Sequence, residues 1–212
     1  MGTRNLTIVV SDGQIKVAQY GQWDGYPTGQ GATILEFLRE TMNKNFFVNQ
    51  LKKVRFLEEE EHKQLFRDLG IDIDDNDGFI KNGDVFRFKK AYPQLDRDMG
   101  GEILEYIQDC EDEEILLQDY IEFVGDSLFC EWAYVVDLDN DKLEVYHGFN
   151  KEPLTEEDRF YKYETDFEHR KEKYYPVKLV KTFSFKELPL DAEEFEKKIY
   201  SEIPEYAEEF EE

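Results

Sequence analysis

The sequence predicts an α+β fold in which helices pack on a mainly antiparallel sheet. Two stretches of β-forming residues are each interrupted by turn residues, at Asp12-Gly13 and at residues 139–142, which is typical of hairpins. Stretches with helical apolar spacing lie between and after them, and separate runs of strands and helices favour the α+β class. The 212 residues fit one domain, residues 1–212, with 151–173 as an irregular excursion rich in charged and aromatic residues.

The first hairpin is predicted to turn at Asp12-Gly13, because this dipeptide favours two-residue hairpin turns. In that register Val10 faces Ile15 and Ile8 faces Val17. Five apolar side chains then share one face, which we expect to be buried: Leu6, Ile8, Val10, Ile15 and Val17. The opposite face is not fully polar, so a second layer can cover it as well.

Helical segments and a polar loop are predicted next. Residues 33–42 carry an apolar stripe, and residues 46–57 continue helical spacing in a second segment. A short helix then ends at Gly70, where glycine is favoured. Residues 72–84 form a polar loop whose spacing approaches that of a calcium-binding loop, but Ile73 occupies the first ligand position and cannot coordinate. No metal site is therefore predicted.

The second hairpin is predicted around a loop formed by residues 139–142. In that register Leu138 faces Leu143 and Val136 faces Val145. One face of the hairpin then carries seven side chains: Cys130, Trp132, Tyr134, Val136, Leu143, Val145 and His147.

Three further elements complete the prediction. The apolar residues at 103–107 indicate a helix, and those that follow Pro176 indicate a strand. Asp191 is a candidate N-cap for a last helix, which Pro204 should kink or end early.

The formal charge of −24 is the dominant feature of the composition. Such a field repels nucleic acids and anionic membrane surfaces and attracts basic proteins or cations. No lysine or arginine occurs between Arg97 and Lys142, so the middle of the chain is a concentrated negative zone. Seven carboxylates in this zone form the predicted partner-binding surface: Glu111, Asp112, Glu113, Glu114, Asp119, Glu122 and Asp126.

Carboxylates on a rigid surface can imitate a phosphate backbone. The leading prediction is therefore a non-enzymatic acidic binding protein that engages a basic or nucleic-acid-binding protein as its partner. Acidity that only keeps the protein in solution is the alternative interpretation. No direct binding to nucleic acid or to a membrane is expected.

The glycine-rich segment at residues 21–31 has two interpretations. Its spacing matches neither a P-loop nor a dinucleotide fingerprint. One interpretation is a small-molecule pocket formed by Gln22, Trp23, Asp24, Tyr26 and Gln30. The other, which the sequence favours, is a strand-to-helix connection whose aromatic residues pack at the edge of the core.

No complete catalytic or cofactor motif is present, so the sequence leans against an enzyme and predicts no cofactor. The opening hairpin followed by helices resembles the layout of N-terminal nucleophile hydrolases, a sandwich of sheets between helices. Removal of Met1 would expose Gly2 and leave Thr3 second in the chain, which puts that catalysis in doubt. With only two cysteines and no membrane-spanning apolar run, the expected location is the cytoplasm.

Three strings, at residues 3–7, 19–27 and 129–134, resemble those of an uncharacterised family of bacterial, phage and fungal proteins. They read TRNLT, QYGQWDGYP and FCEWAY. The family has no assigned activity to transfer. A phage origin, and with it a role as an inhibitor of a nucleic-acid-binding or defence protein, is what the resemblance and the acidity together suggest.

Overall fold

The structure is a computed structural model that describes residues 2–73, 82–165 and 170–207. These residues form seven strands: β1 (Asn5–Ser11), β2 (Gln14–Gly21), β3 (Val54–Phe56), β4 (Ile115–Leu117), β5 (Trp132–Asp137), β6 (Lys142–His147) and β7 (Lys178–Ser184). They also form seven α-helices: α1 (Ala32–Glu36), α2 (Lys44–Leu51), α3 (Glu59–Asp68), α4 (Asn82–Ala91), α5 (Ile103–Asp109), α6 (Ala192–Tyr200) and α7 (Pro204–Ala207). Most of the predicted polar loop, and with it the calcium-like spacing, lies outside the described residues.

The central sheet has five strands in the order β2-β1-β5-β6-β7. Strands β1 and β5 are parallel, and the three other neighbouring pairs are antiparallel. The prediction of an α+β fold with a mainly antiparallel sheet is therefore confirmed. A separate pair, β3 and β4, runs parallel.

Both faces of the central sheet are covered, each by a different kind of layer. On one face the core includes side chains from α1, α2, α5 and α6, such as Ile34, Phe47, Ile107 and Phe195. On the other face the buried residues come from irregular chain and 3-10 turns: Ile121, Val124, Leu154, Phe160 and Val177. Within the described residues the layers are thus helices, one five-stranded sheet and irregular chain, rather than two large sheets stacked between helices.

The first hairpin turns where predicted, but its register changes at a β-bulge. Asp12 and Gly13 both have positive φ, 55° and 68°, as a type I′ turn requires. Val10 pairs with Ile15 as predicted, whereas Val9, not Ile8, pairs with Val17. The extra residue in β2 moves Val17 to the helix-covered face, so the prediction that Val17 shares a face with Val10 is wrong.

The second hairpin is shifted by two residues from the predicted register. Val136 pairs with Leu143, because the loop begins at Leu138. The Asp137 carboxylate accepts hydrogen bonds from the backbone and side chain of Asn140, at 3.0 and 3.1 Å, and so fixes this earlier turn. The predicted shared face is confirmed for the core residues of β5 and β6, but Cys130 precedes β5 and lies in the core of the other face.

The predicted helix at residues 46–57 ends earlier than its apolar spacing suggests. Helix α2 stops at Leu51, and Val54–Phe56 form strand β3. The β3 strand pairs with β4, which lies about sixty residues further along the chain and has only three residues. A long-range pairing of such short strands leaves no periodic pattern in the sequence.

Helix ends follow their local sequence. Glu58 and Glu61 form a capping box at the start of α3, and Gly70 has a φ of 66° just after its end. Asp191 caps α6 by accepting a hydrogen bond from the backbone of Glu194, and α6 ends before Pro204. The structure confirms three predictions: the helix end at Gly70, the N-cap at Asp191 and the early end of the last helix before Pro204.

An arginine fastens the irregular excursion to the sheet. The Arg159 guanidinium donates to Asp137 at 2.7 Å and to Glu144 at 2.8 Å. The Asp137 side chain is only 3% exposed. Burial alone would raise the pKa of Asp137, but hydrogen bonds from Asn140 and Arg159 outweigh it and hold that pKa below its ordinary value. The ion pair therefore joins residues 151–163 to β5 and β6.

We expect Arg159→Met to lower the free energy of unfolding by about 2–3 kcal/mol, because it leaves the buried Asp137 carboxylate without its cation. Urea unfolding at pH 7 measures the change. Lys63→Met is the matched control, because its partner Glu59 is 84% exposed and such pairs contribute little. Equal stability of the two variants would contradict the role given to Arg159.

Candidate functional site

The two amides of the predicted small-molecule pocket are used inside the protein. The Gln22 side-chain oxygen accepts hydrogen bonds from the Tyr20 hydroxyl at 2.8 Å and from Arg97. The Gln30 side-chain oxygen accepts a hydrogen bond from the backbone of Gly101 at 2.6 Å. Both amides therefore connect residues 22–31 to the chain around residues 97–101.

The other three predicted ligand-binding residues lie at the surface. Trp23 is 51% exposed and Tyr26 47% exposed. Asp24 has a φ of 54°, and its backbone carbonyl accepts a hydrogen bond from the Gln30 backbone at 2.7 Å. The five residues are close in the chain, but their polar and aromatic groups point to different surroundings. Ligand binding at these residues stays a prediction.

The three strings singled out in the sequence, at residues 3–7, 19–27 and 129–134, meet at one end of the central sheet. The Arg4 carbonyl accepts hydrogen bonds from the backbones of Glu131 at 3.1 Å and Trp132 at 3.3 Å. The Thr3 carbonyl accepts one from Gly25 at 2.9 Å. Parallel pairing of β1 with β5 and antiparallel pairing of β1 with β2 bring these strings together. Thr3 itself, which an N-terminal nucleophile would require, is only 4% exposed.

Asp126, one of the predicted partner-binding residues, is held in an internal ion pair. Arg170 donates to both of its carboxylate oxygens, at 2.6 and 2.7 Å. The guanidinium groups of Arg4 and Arg170 both lie over the Phe129 ring, 4.7 and 5.2 Å from its centroid. These contacts hold the loop before β5 in place. The Asp126 carboxylate therefore already has Arg170 as a structural partner.

The remaining predicted acidic residues fall into two neighbourhoods. Glu111, Asp112, Glu113 and Glu114 are all exposed, and Glu114 pairs with Arg55 at 2.9 Å. After β4, the Asp119 carboxylate accepts a hydrogen bond from the backbone of Ile121. Burial raises the pKa of the Tyr163 hydroxyl, and the nearby charges of Glu122 and Asp119 raise it further. The two groups lie on either side of strand β4 in the chain, and partner binding at these residues stays a prediction.

A groove beside α5 adds three carboxylates that the sequence prediction did not include. Its volume is about 510 Å³. It is lined by Thr33, Met99, Glu102, Glu105, Tyr106, Asp109 and Cys110. Glu102, Glu105 and Asp109 are exposed, and none forms an ion pair with another described residue. Their spacing of three and four residues, which places them on one helix face, was visible in the sequence.

The surroundings of this groove are strongly negative. Burial, followed by the nearby Cys110 and Asp112, raises the pKa of the Tyr106 hydroxyl to about 12. Glu111, Asp112 and Glu113 continue the acidic surface directly after the helix. We name the six carboxylates of this surface the α5 acidic face: Glu102, Glu105, Asp109, Glu111, Asp112 and Glu113.

Cys130 and His147, both among the described residues, do not form a catalytic pair. Cys130 is fully buried, and burial raises the pKa of its thiol well above the ordinary value. The His147 ring packs 4.6 Å from Trp132 on the helix-covered face, whereas Cys130 lies in the core of the opposite face. Among the described residues, no group of three or more metal-ligating side chains comes together.

Similarity to known proteins gives no further guide to the function. No protein-family model matches this chain, and no curated protein or solved structure is significantly similar to it. Of the helices in the described ranges, none is long and apolar enough to span a membrane.

His147 should make the fold sensitive to mild acid. Burial lowers its pKa from 6.5 to about 4, so the unfolded chain binds a proton before the folded protein does. The contribution of His147 to the free energy of unfolding is complete above pH 6.5. It falls by about 3 kcal/mol as the pH is lowered towards 4.

Urea unfolding at pH 7 and pH 4 measures this loss, and in His147→Gln we expect the difference between the two pH values to shrink by about that amount. His62 and the carboxylates titrate in both proteins and cancel. An unchanged difference would contradict the assignment to His147.

Proposed function

We propose that this protein is a non-enzymatic acidic binding protein whose α5 acidic face engages a basic protein in the cytoplasm. The observation that carries the proposal is the groove beside α5, where exposed carboxylates without ion partners among the described residues surround a concave floor. The notable point is the arrangement rather than the net charge, because many other acidic side chains of this chain are paired with lysine or arginine.

The chemistry of the groove favours lysine or arginine side chains as its ligands. Each carboxylate can accept charge-assisted hydrogen bonds, and the floor offers Met99 and Tyr106 to the apolar stem of a long basic side chain. No lysine or arginine occurs from residue 98 to residue 141, so no cation from that stretch can occupy the groove instead.

Proteins that bind nucleic acids carry basic surfaces that match a phosphate backbone. An acidic face with carboxylates along a helix can occupy such a surface and exclude the nucleic acid. Inhibition of a nucleic-acid-binding or defence protein, in a phage setting, is the narrower form of the proposal. The two free thiols, Cys110 and Cys130, agree with a reducing compartment.

A labelled oligoarginine peptide is a defined probe of the α5 acidic face. We expect Glu102→Gln/Glu105→Gln/Asp109→Asn to weaken its binding about tenfold at low ionic strength, because three contacting charges are lost. Fluorescence anisotropy across a salt series measures the affinity.

The matched control removes the same charge elsewhere, in Glu156→Gln/Glu157→Gln/Glu187→Gln, three exposed residues outside the α5 acidic face. This control should bind the peptide as the unaltered protein does, within about twofold. Equal weakening by both triple variants would show that only net charge attracts the peptide, and the proposal would then fail.

Cys110 gives a second readout, because it lines the groove and is partly exposed, whereas Cys130 is buried. We expect a thiol reagent to label Cys110 alone in the folded protein and the bound peptide to slow that labelling. Mass spectrometry identifies the labelled cysteine. Labelling of Cys110 at an unchanged rate under saturating peptide would place the peptide elsewhere.

A further inference from the structure

A second, larger cleft lies beyond the end of β6, far along the chain from the α5 acidic face. Its volume is about 710 Å³, within the range of small-molecule sites. Its walls come from the chain after β6, from β7 and from the junction between α6 and α7. The residues that line it include His147, Phe149, Glu152, Tyr174, Lys178 and Glu205.

Two backbone irregularities shape this cleft. Phe149 has a φ of 53°, which a bulky side chain rarely adopts and which costs free energy unless the surroundings impose it. In the β6–β7 pairing, the register shifts between Val145 and Tyr146, so that the bulge falls at the cleft wall. Strained dihedral angles and β-bulges of this kind are common at active sites and ligand-binding sites.

The wall that carries Phe149 is held in place by hydrogen bonds. The Phe149 backbone donates to Ser127 at 2.7 Å, and the Gly148 backbone donates to Glu131 at 2.8 Å. The buried Asn150 side chain donates to the carbonyls of Glu152 and Pro176, both at 2.9 Å. The cleft is therefore preformed, which reduces the entropic cost of binding.

One aromatic ring of the cleft is open to a ligand. Phe149 is 44% exposed, whereas the Tyr174 ring already has the Lys151 ammonium 5.6 Å from its centroid. The His147 imidazole forms no hydrogen bond with any described residue, and its ring packs against that of Trp132. Because burial holds the pKa of His147 at about 4, the ring is neutral at pH 7 and can accept a hydrogen bond from a donor in the cleft.

The charges around the cleft favour a cation over an anion. Lys178 is paired with Glu152, and Lys151 is paired with Glu172 at 2.7 Å, so each lysine already has its counter-ion. Glu205 is exposed and forms no ion pair or hydrogen bond with a described residue, although its charge also acts on Lys151. The lining itself contributes two lysines and three glutamates, a net charge of −1.

We infer that this cleft binds an organic monocation of the guanidinium or alkylammonium class, held against the Phe149 ring with its charge facing Glu205. A cation over an open aromatic face gains electrostatic attraction, and a nearby carboxylate adds to it. The cation belongs either to a free small molecule or to an arginine side chain of a polypeptide. The inference does not depend on the α5 acidic face.

The test uses Nα-acetyl-arginine amide, which is a monocation, and Nα-acetyl-citrulline amide, which has nearly the same shape but no charge; we call them arginine amide and citrulline amide. Of the two tryptophans of the chain, Trp132 packs against His147, so Trp23→Phe leaves Trp132 as the single tryptophan, and excitation at a wavelength that tyrosine does not absorb reports on it alone. We expect saturable emission changes with arginine amide below about 10 mM, where a millimolar complex is mostly formed, and none with citrulline amide. The ring-proton resonance of His147, assigned with His147→Gln, provides a second signal if the emission stays constant.

Two variants locate the site. Phe149→Gly removes the ring at a backbone conformation that glycine accepts, and Glu205→Gln removes the charge, so each should weaken arginine amide by about threefold to tenfold. Phe86→Ala and Glu187→Gln, which alter an exposed ring and an exposed carboxylate outside the cleft, should leave the affinity unchanged. An unchanged thermal midpoint shows that each variant is folded.

The source of the cation is decided by a short peptide with blocked ends and a central arginine. Binding at least as tight as that of arginine amide indicates a polypeptide ligand, and exclusion of the peptide indicates a free small cation. The inference is overturned if citrulline amide or adenosine binds as tightly as arginine amide. It is also overturned if arginine amide changes neither signal, or if the two cleft variants bind it normally.

Discussion

The pairing of β1 with β5 is the constraint on which the rest of the structure depends. Every residue of both strands is buried, so the two faces of the sheet centre must each be covered. Because the pair is parallel, the chain has to travel from one end of the sheet to the other between the two strands. Strand β2 makes this return, because its last residue Gly21 pairs with Asn5 at the start of β1. The long connection from residue 22 to residue 131 therefore begins and ends at the same end of the sheet, and it supplies α1, α2 and α5 as the cover of one face.

The same constraint explains the glycine-rich segment after β2. The Tyr134 hydroxyl, fully buried in β5, donates to the Gly25 carbonyl at 2.8 Å. A Cβ atom on Gly31 would stand only 2.9 Å from that hydroxyl, and one on Gly25 only 2.7 Å from the Thr3 carbonyl. Glycine is needed at both positions because the connection passes directly over the buried ends of β1 and β5. The spacing of the glycines is therefore set by packing on the sheet, which is why it matches no phosphate-binding motif.

The features that were predictable from the sequence are those in which a few adjacent residues decide the outcome. The Asp12-Gly13 turn, the end of α3 at Gly70 and the cap at Asp191 each depend on local dihedral angles and hydrogen bonds. The bulge near Lys16 was not predictable, since two registers place similar apolar residues on the two buried faces. The pairing of β3 with β4 depends on residues about sixty positions apart.

For the candidate site, individual charges were visible but their pairing was not. Asp126 and Asp137 belong to acidic stretches, yet each meets an arginine that is distant in the chain, Arg170 or Arg159. Only the fold shows which carboxylates are used to attach loops and which ones stay exposed. The five predicted residues at 22–31 illustrate the same point, because the sequence could not show that Gln22 and Gln30 face inward.

The position of the α5 acidic face argues that its charges are not there for the stability of the helix. Glu102 and Glu105 lie at the start of α5, where negative charge is favourable, but the last turn contains no basic residue. Asp109 and the carboxylates that follow it gather at the negative end of the helix dipole, where they repel the helix end and one another. A few neutral residues at these positions would relieve that repulsion and keep the protein strongly acidic. A surface that lowers local stability in this way is the pattern expected where residues are kept for binding rather than for folding.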